Sequence, residues 1–251
     1  MLFHRYQMQP PLDAGGMMTD NDMTRKNPLE QMGIDMTELG EEGGFGAVMA
    51  SAGVGKTALL VQIAIIAMMK EFSVLHVSLS DPVQKVTLWY DEIFQSLNRA
   101  KFRGATLDSQ EEILRRRLIM TFRVDDFTVP KLEERLNDLI VQNIFSPRVM
   151  IIDGLRFDGH VEPILSELKS IAQKRNLFVW LAVHIPQRDP KSPVEDPLSA
   201  KGLLDYFQLI LKIEDRGHYH ILQLLKGEER IEKGDKKELR LDPTTLLVIS
   251  K

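Results

Sequence analysis

Eight consecutive residues concentrate the chemistry of this sequence: "ASAGVGKT", Ala50 to Thr57. Backbone N–H groups along such a loop can wrap a diphosphate, a lysine can reach the outer phosphates, and the adjacent hydroxyl can ligate Mg²⁺. A helix that follows directly also points its positive end at the anion. The usual pattern opens on glycine, where Ala50 stands here. That departure matters little if the backbone at Ala50 stays in a region open to L-residues, because Gly53 and Gly55 remain for the tight positions. The expected contact set for ATP or ADP is Ala50, Ser51, Ala52, Gly53, Val54, Gly55, Lys56, Thr57 and Ala58, with Thr57 on the metal. A second feature lies well downstream in "RVMIID", an apolar strand ending on Asp153. A carboxylate at the carboxyl end of a buried strand faces the crevice where α/β sheets bind ligands, and can hold a Mg²⁺ shell through water. The alternative is a helix cap at Asp153, since Gly154 follows it.

Both features need a parallel sheet to hold them, and the chain has the alternation that builds one. "FGAVMA" reads as a short strand running into the loop, and Lys56 to Lys70 as a helix. Further strands are expected at "SVLHVSL", "LIMTFRV", "RVMIID" and "LFVWLAV", with helices at "VQKVTLWYDEIFQSLNRA", "SQEEILRRR", "TVPKLEERLNDLIVQN" and Val161 to Arg175. After a long loop beginning at His184, "YFQLILKIE", "YHILQLLK", "KELRLD" and "TLLVIS" read as four strands separated by turns. The expected fold is therefore α/β, a mostly parallel sheet flanked by helices, with an antiparallel C-terminal extension. Residues 1–27, with Pro10, Pro11, Gly15 and Gly16, read as a flexible N-terminal tail, and 28–251 as a single domain. A short helix is expected from about Pro28 to Leu39. Met17, Met18 and Met23 are alternative starts to Met1.

Composition narrows the function classes. With 251 residues and 43% hydrophobic content the chain can bury one substantial core. A net charge of −4 gives no global signal for nucleic acid or an anionic membrane. The absence of cysteine excludes disulfides, thiolate zinc sites and cysteine nucleophiles. The most apolar run, Ala58 to Met69, is shorter than the roughly 18–20 residues that cross a bilayer, so it reads as a buried helix. No signal-peptide core follows His4 and Arg5, and a cytoplasmic protein without a membrane span is expected.

The order of blocks from Gly43 to Ser250 resembles the RecA-like P-loop ATPases, within them the KaiC-type and replicative-helicase branch. The blocks are "GGFGAVMASAGVGKTALLVQIA", "VLHVSLSDP", "VMIIDGL", "VWLAVHIPQ", "YFQLILKIE" and "LQLLKGEER". The resemblance implies Mg-dependent ATP hydrolysis coupled to a conformational change or to assembly, with a homo-oligomer or a partner protein. Relatives usually place a glutamate, often a pair, at the end of the second strand to polarise the attacking water. Ser80 and Asp81 occupy those positions here. Asp81 is one methylene shorter, and a misplacement of about 1 Å can slow a reaction by around a hundredfold. Asp81 is as readily the cap of a helix that starts at Pro82. The resemblance also implies a polar sensor after the metal-binding strand, where His184 and then Gln187 stand, unless His184 is only satisfied locally at a strand end. A basic pair inserted from a neighbouring subunit would correspond to Lys226 and Arg230, at wider spacing than the family pattern and in a mixed-charge hairpin.

Nucleic acid is weakly supported. In the loop after His184, Arg188, Lys191 and Lys201 cancel against Asp189, Glu195 and Asp196, and no aromatic is present for stacking. Arg99, Lys101 and Arg103 with Arg115 to Arg117 form the other basic cluster, which reads more simply as a solvated face. Two classes of function remain: a slow ATPase acting as catalytic residues through Lys56, Asp81 and His184, or a nucleotide-gated switch or partner-binding module with little hydrolysis. A small-molecule kinase is the weaker third, because no arginine-rich lid is evident.

Overall fold

Side chains of the central strands alternate between two apolar layers, one on either face of a single sheet. A computed structural model describes residues 28–37, 39, 43–99, 107–158, 160–186, 198, 200–227 and 237–249. The tail expected over 1–27, Gln187, Arg230 and most of the long loop after His184 lie outside the described residues. The elements are α1 (Pro28–Gln31), β1 (Gly44–Ala50), α2 (Lys56–Met69), β2 (Val74–Ser78), α3 (Val83–Arg99), α4 (Leu107–Leu114) and β3 (Arg117–Thr121). They continue with α5 (Val129–Val141), β4 (Val149–Asp153), α6 (Val161–Arg175), β5 (Phe178–His184), β6 (Leu209–Asp215), β7 (His220–Lys226) and β8 (Glu238–Leu241). 3₁₀ segments cover Val124–Asp126 and Ala200–Tyr206.

The sheet order is β3-β2-β4-β5-β1-β6-β7-β8. The pairs β2–β3, β2–β4, β4–β5, β1–β5 and β1–β6 are parallel, whereas β6–β7 and β7–β8 are antiparallel. The α/β reading with an antiparallel C-terminal extension is what the chain adopts. Along β1, Val48 and Ala50 point into the layer that holds α2 and α3, while Phe45, Ala47 and Met49 point into the layer of α5 and α6. This period of two is the signature of a strand buried on both faces.

The α2 helix is buried on every side, with Ala58 through Met68 all inside. Val61, Ile63, Ile65 and Ile66 are β-branched and do not favour helix intrinsically, so packing against α3, α4 and the strands above decides its conformation. Each buried Leu or Ile contributes about 1.5–3 kcal/mol. Beyond its last turn, Lys70 pairs with Glu30 at 2.8 Å and Asp35 at 3.3 Å, tying the segment around α1 to the helix end. Among the described residues no helix is long and apolar enough to cross a membrane.

Two expected elements are shorter than their patterns suggest. The α1 helix closes after one turn rather than reaching Leu39, because Gly33 turns left-handed at φ +74° and Asp35 accepts a hydrogen bond from the Thr37 amide. Ile34, Met36 and Leu39 are still buried, as an apolar turn. "TLLVIS" does not extend as a strand: only Val248 bridges to Leu241, because the Asp242 carboxylate gathers the Thr244 and Thr245 amides into a turn.

Candidate functional site

Parallel strands end together, and their carboxyl ends gather the residues whose types carry chemistry. The register pairs Ala50 with His184 and Ser78 with Asp153. The loop from Ser51 to Gly55 leaves β1 at this edge and enters α2. Gly53 and Gly55 have φ of +76° and +97°, in the left-handed region that an L-residue rarely occupies. Gly55 is the N-cap of α2 and gives it no side-chain cap, and Ala52 and Gly53 are exposed above it. The first amides of α2 are thus presented without a side-chain acceptor.

Lys56 lies over its own loop. Its ammonium donates to the carbonyl oxygens of Ala50 and Ser51, each at 2.9 Å. Burial lowers its pKa, and the charge of Asp153 opposes that fall. Thr57 Oγ1 donates to Asp153 Oδ2 at 2.6 Å, across 96 positions of sequence. Asp153 is only 9% exposed, and burial pushes its carboxyl above the usual range. The Thr57 bond and Lys56 work against that rise, and Asp81 adds to it. Gly154 follows at φ +93°, and a Cβ there would approach the Ser80 amide nitrogen and hydroxyl to 3.1 Å, so the ends of β4 and β2 meet closely. No helix begins at Asp153: the chain leaves β4 through a bend, and α6 starts only at Val161.

Asp81 stands beside this pair on the link from β2 to α3. Ser78 Oγ donates to the Asp81 carbonyl at 2.9 Å and accepts from its amide at 3.0 Å, which folds the link tightly. The Asp81 carboxylate accepts from Lys85 Nζ at 2.8 Å. Helix α3 starts at Val83, with the Lys85 and Val86 amides bonded to the Pro82 carbonyl, so Pro82 rather than Asp81 holds the cap position. The reading of Asp81 as the cap of a helix starting at Pro82 is corrected on that geometry.

His184 is exposed at the end of β5. Burial and then the neighbouring Lys56 charge lower its pKa, which favours the neutral imidazole. Lys226 is held within its own chain, its ammonium donating to the Leu204 carbonyl at 2.8 Å. The structure therefore brings Ala50 to Ala58, Asp153, Asp81 and His184 to one edge, whereas Lys226, at the end of β7, turns its ammonium to the 3₁₀ segment.

As a metal site, the edge offers one hydroxyl and one buried carboxylate already in contact. Among the described residues no group of three or more His, Asp or Glu converges into a cage. A Mg²⁺ ion bound mainly through phosphates and water would need only such a sparse set, which Thr57 Oγ1 and Asp153 could supply. Sequence reasoning missed Ser78, Lys85 and the contact of Leu246 with Gly55. Lys85 had a signal, the i,i+4 spacing from Asp81. Leu246 had none, because the contact joins the loop to the chain's far end. A scan against protein-family models matched none, and a search among curated proteins returned no significant relative.

Proposed function

We propose that this chain binds ATP with Mg²⁺ as a RecA-like P-loop protein and hydrolyses it slowly, coupling the nucleotide state to conformation or assembly. The 2.6 Å hydrogen bond from Thr57 to Asp153 carries the reading, because it joins two motifs that have no reason to meet in a mere glycine turn. The loop amides and the first turn of α2 receive phosphate oxygens. Lys56 exchanges its two carbonyl partners for the β- and γ-phosphates, an exchange that its partial burial strengthens. Thr57, and Asp153 through water, would hold a Mg²⁺ ion, which would supply charge neutralisation for the phosphates. His184, level with Ala50 and favoured in its neutral form, is the group we assign to donate to a γ-phosphate oxygen or to hold water.

One observation favours the second reading, a nucleotide-gated switch with little turnover. The Asp81 carboxylate is engaged by Lys85, and a carboxylate that already accepts from an ammonium is a poor acceptor for a water proton. Titration with a fluorescent ATP analogue in Mg²⁺ tests binding, and phosphate release tests turnover. Lys56→Ala is expected to lose at least about tenfold in affinity, the value of one charge-assisted contact. Unchanged affinity in that variant overturns the proposal; binding without phosphate release selects the switch. Sizing with and without ATP reads assembly.

A further inference from the structure

The turn after β8 reaches back across the molecule to the junction between the phosphate loop and its helix. Leu246 is 2% exposed, and a Cβ placed on Gly55 would lie 2.3 Å from its Cδ1. Gly55 is thus a glycine twice over: its φ of +97° strains any L side chain, and Leu246 fills the space one would take. Leu246 itself has φ +54°, an unfavourable conformation for a leucine. Something must hold it there, and the surrounding turn does so. Asp242 Oδ1 accepts from the Thr244 amide at 3.0 Å, the Thr245 amide at 2.8 Å and the Thr245 hydroxyl at 3.0 Å. The Leu246 amide donates to the Asp242 carbonyl at 2.8 Å, and the Asp242 amide to the Leu247 carbonyl at 2.9 Å. From the other side, fully buried Gln62 on α2 donates through Nε2 to the Thr245 carbonyl at 3.2 Å. Val54, one residue before Gly55, packs against the same apolar cluster as Leu246.

We infer that the Asp242–Leu247 turn is a working part of the triphosphate site, with Leu246 as the positioning residue that presets Gly55 and the amides of the loop. The inference rests on the nucleotide reading above and adds a residue to it. A loop built around two left-handed glycines has wide freedom when nothing leans on it, and a ligand must then order it on binding. Leu246 supplies the ordering in advance. Its strained backbone is over-determined by the Asp242 bonds, so the wedge does not relax away from the glycine. The β-hairpin end of the sheet thereby reports on, and acts on, the phosphate loop, although it contributes no polar group to phosphate.

Four variants in the full chain test this: Leu246→Ala, which removes the wedge; Leu246→Met, which keeps its reach; Asp242→Ala, which frees the turn while leaving Leu246 intact; and Leu239→Ala, which opens the same apolar cluster on β8. Three readouts are taken: hydrogen exchange of amides 53–57 without nucleotide, affinity for a fluorescent ATP analogue in Mg²⁺, and the urea midpoint. Leu246→Ala and Asp242→Ala are expected to speed exchange across 53–57 and to weaken the analogue by about tenfold, the cost of newly ordering about one residue. Leu246→Met is expected to restore both, and Leu239→Ala to lower the urea midpoint with affinity retained. If the native chain binds the analogue and both Leu246→Ala and Asp242→Ala bind it equally well, the inference fails and the nucleotide reading stands. If affinity falls in proportion to the urea midpoint in all variants, including Leu239→Ala, the turn is structural only and the inference fails. If the native chain binds no triphosphate, the nucleotide reading fails first. Should Leu246→Ala not fold, Asp242→Ala carries the same test.

Discussion

Mild acid should weaken this protein through buried His76. His76 lies within β2, fully buried, with Nδ1 3.0 Å from the Tyr90 hydroxyl and Nε2 without a partner among the described residues. Tyr90 reaches it from α3 with its ring at 5.6 Å, and the Arg117 guanidinium of β3 lies 4.4 Å over that ring. Burial, then the Arg117 charge, pushes the imidazole pKa from 6.5 down to about 4, with Asp81 opposing. Burial raises the Tyr90 pKa, so its hydroxyl stays protonated and able to donate to Nδ1. The unfolded chain therefore takes up a proton on His76 below pH 6.5, whereas the folded chain does so only near 4. Stability is present in full above the unfolded value and falls as pH drops through this window. A pKa difference between 6.5 and about 4 corresponds to about 3 kcal/mol, of which about 2 is lost by pH 5. Urea unfolding at about pH 7.5 and about pH 5 measures it, with His76→Phe as the comparison. Carboxylates common to both proteins cancel in the difference, so the native chain should lose about 2 kcal/mol more than the variant. Equal losses would refute the argument. The outcome bears on the site, because His76 lies two residues before Ser78, which folds the link around Asp81.

Thr57→Val removes the donor to Asp153 and should reduce the Mg²⁺-dependent part of ATP binding by about tenfold or more, with Mg²⁺-free binding unchanged; paired titrations with and without the ion check this. Lys85→Met should raise phosphate release by freeing Asp81, while changing stability by less than about 1 kcal/mol because the lysine is largely exposed. Unchanged release would remove Asp81 from the water-activating role. Gly154→Ala should lower stability by about 1–2 kcal/mol, from its left-handed backbone and the approach to Ser80, read by thermal unfolding.

Much of the fold was legible because its signals are local. The continuous apolar runs of β1 and α2 need only neighbouring residues to be read, and they positioned the loop at Ala50 to Thr57. Asp153 was legible as a strand-end carboxylate, though its bond to Thr57 was not, since nothing in "RVMIID" encodes a partner so far upstream. The short α1 and the failed strand "TLLVIS" were misread for a shared reason. In each, an aspartate side chain captures amides two or three residues on, at Asp35 and Asp242, and turn chemistry overrides the apolar pattern. Lys85 on Asp81 sat at a readable spacing, but competing roles for the aspartate hid it.

The wholly buried α2 also has a history during synthesis. On a ribosome it emerges well before β4 and β5, the strands that later lie over it. At about 5–20 residues per second, the roughly hundred residues between α2 and β5 take on the order of ten seconds to appear. Through that interval the run from Ala58 to Met69 has no solvent-tolerant face to turn outward. The helix that follows the Ser51–Gly55 loop in the finished protein is thus a segment exposed to aggregation in the nascent one, and a natural one for a chaperone to hold.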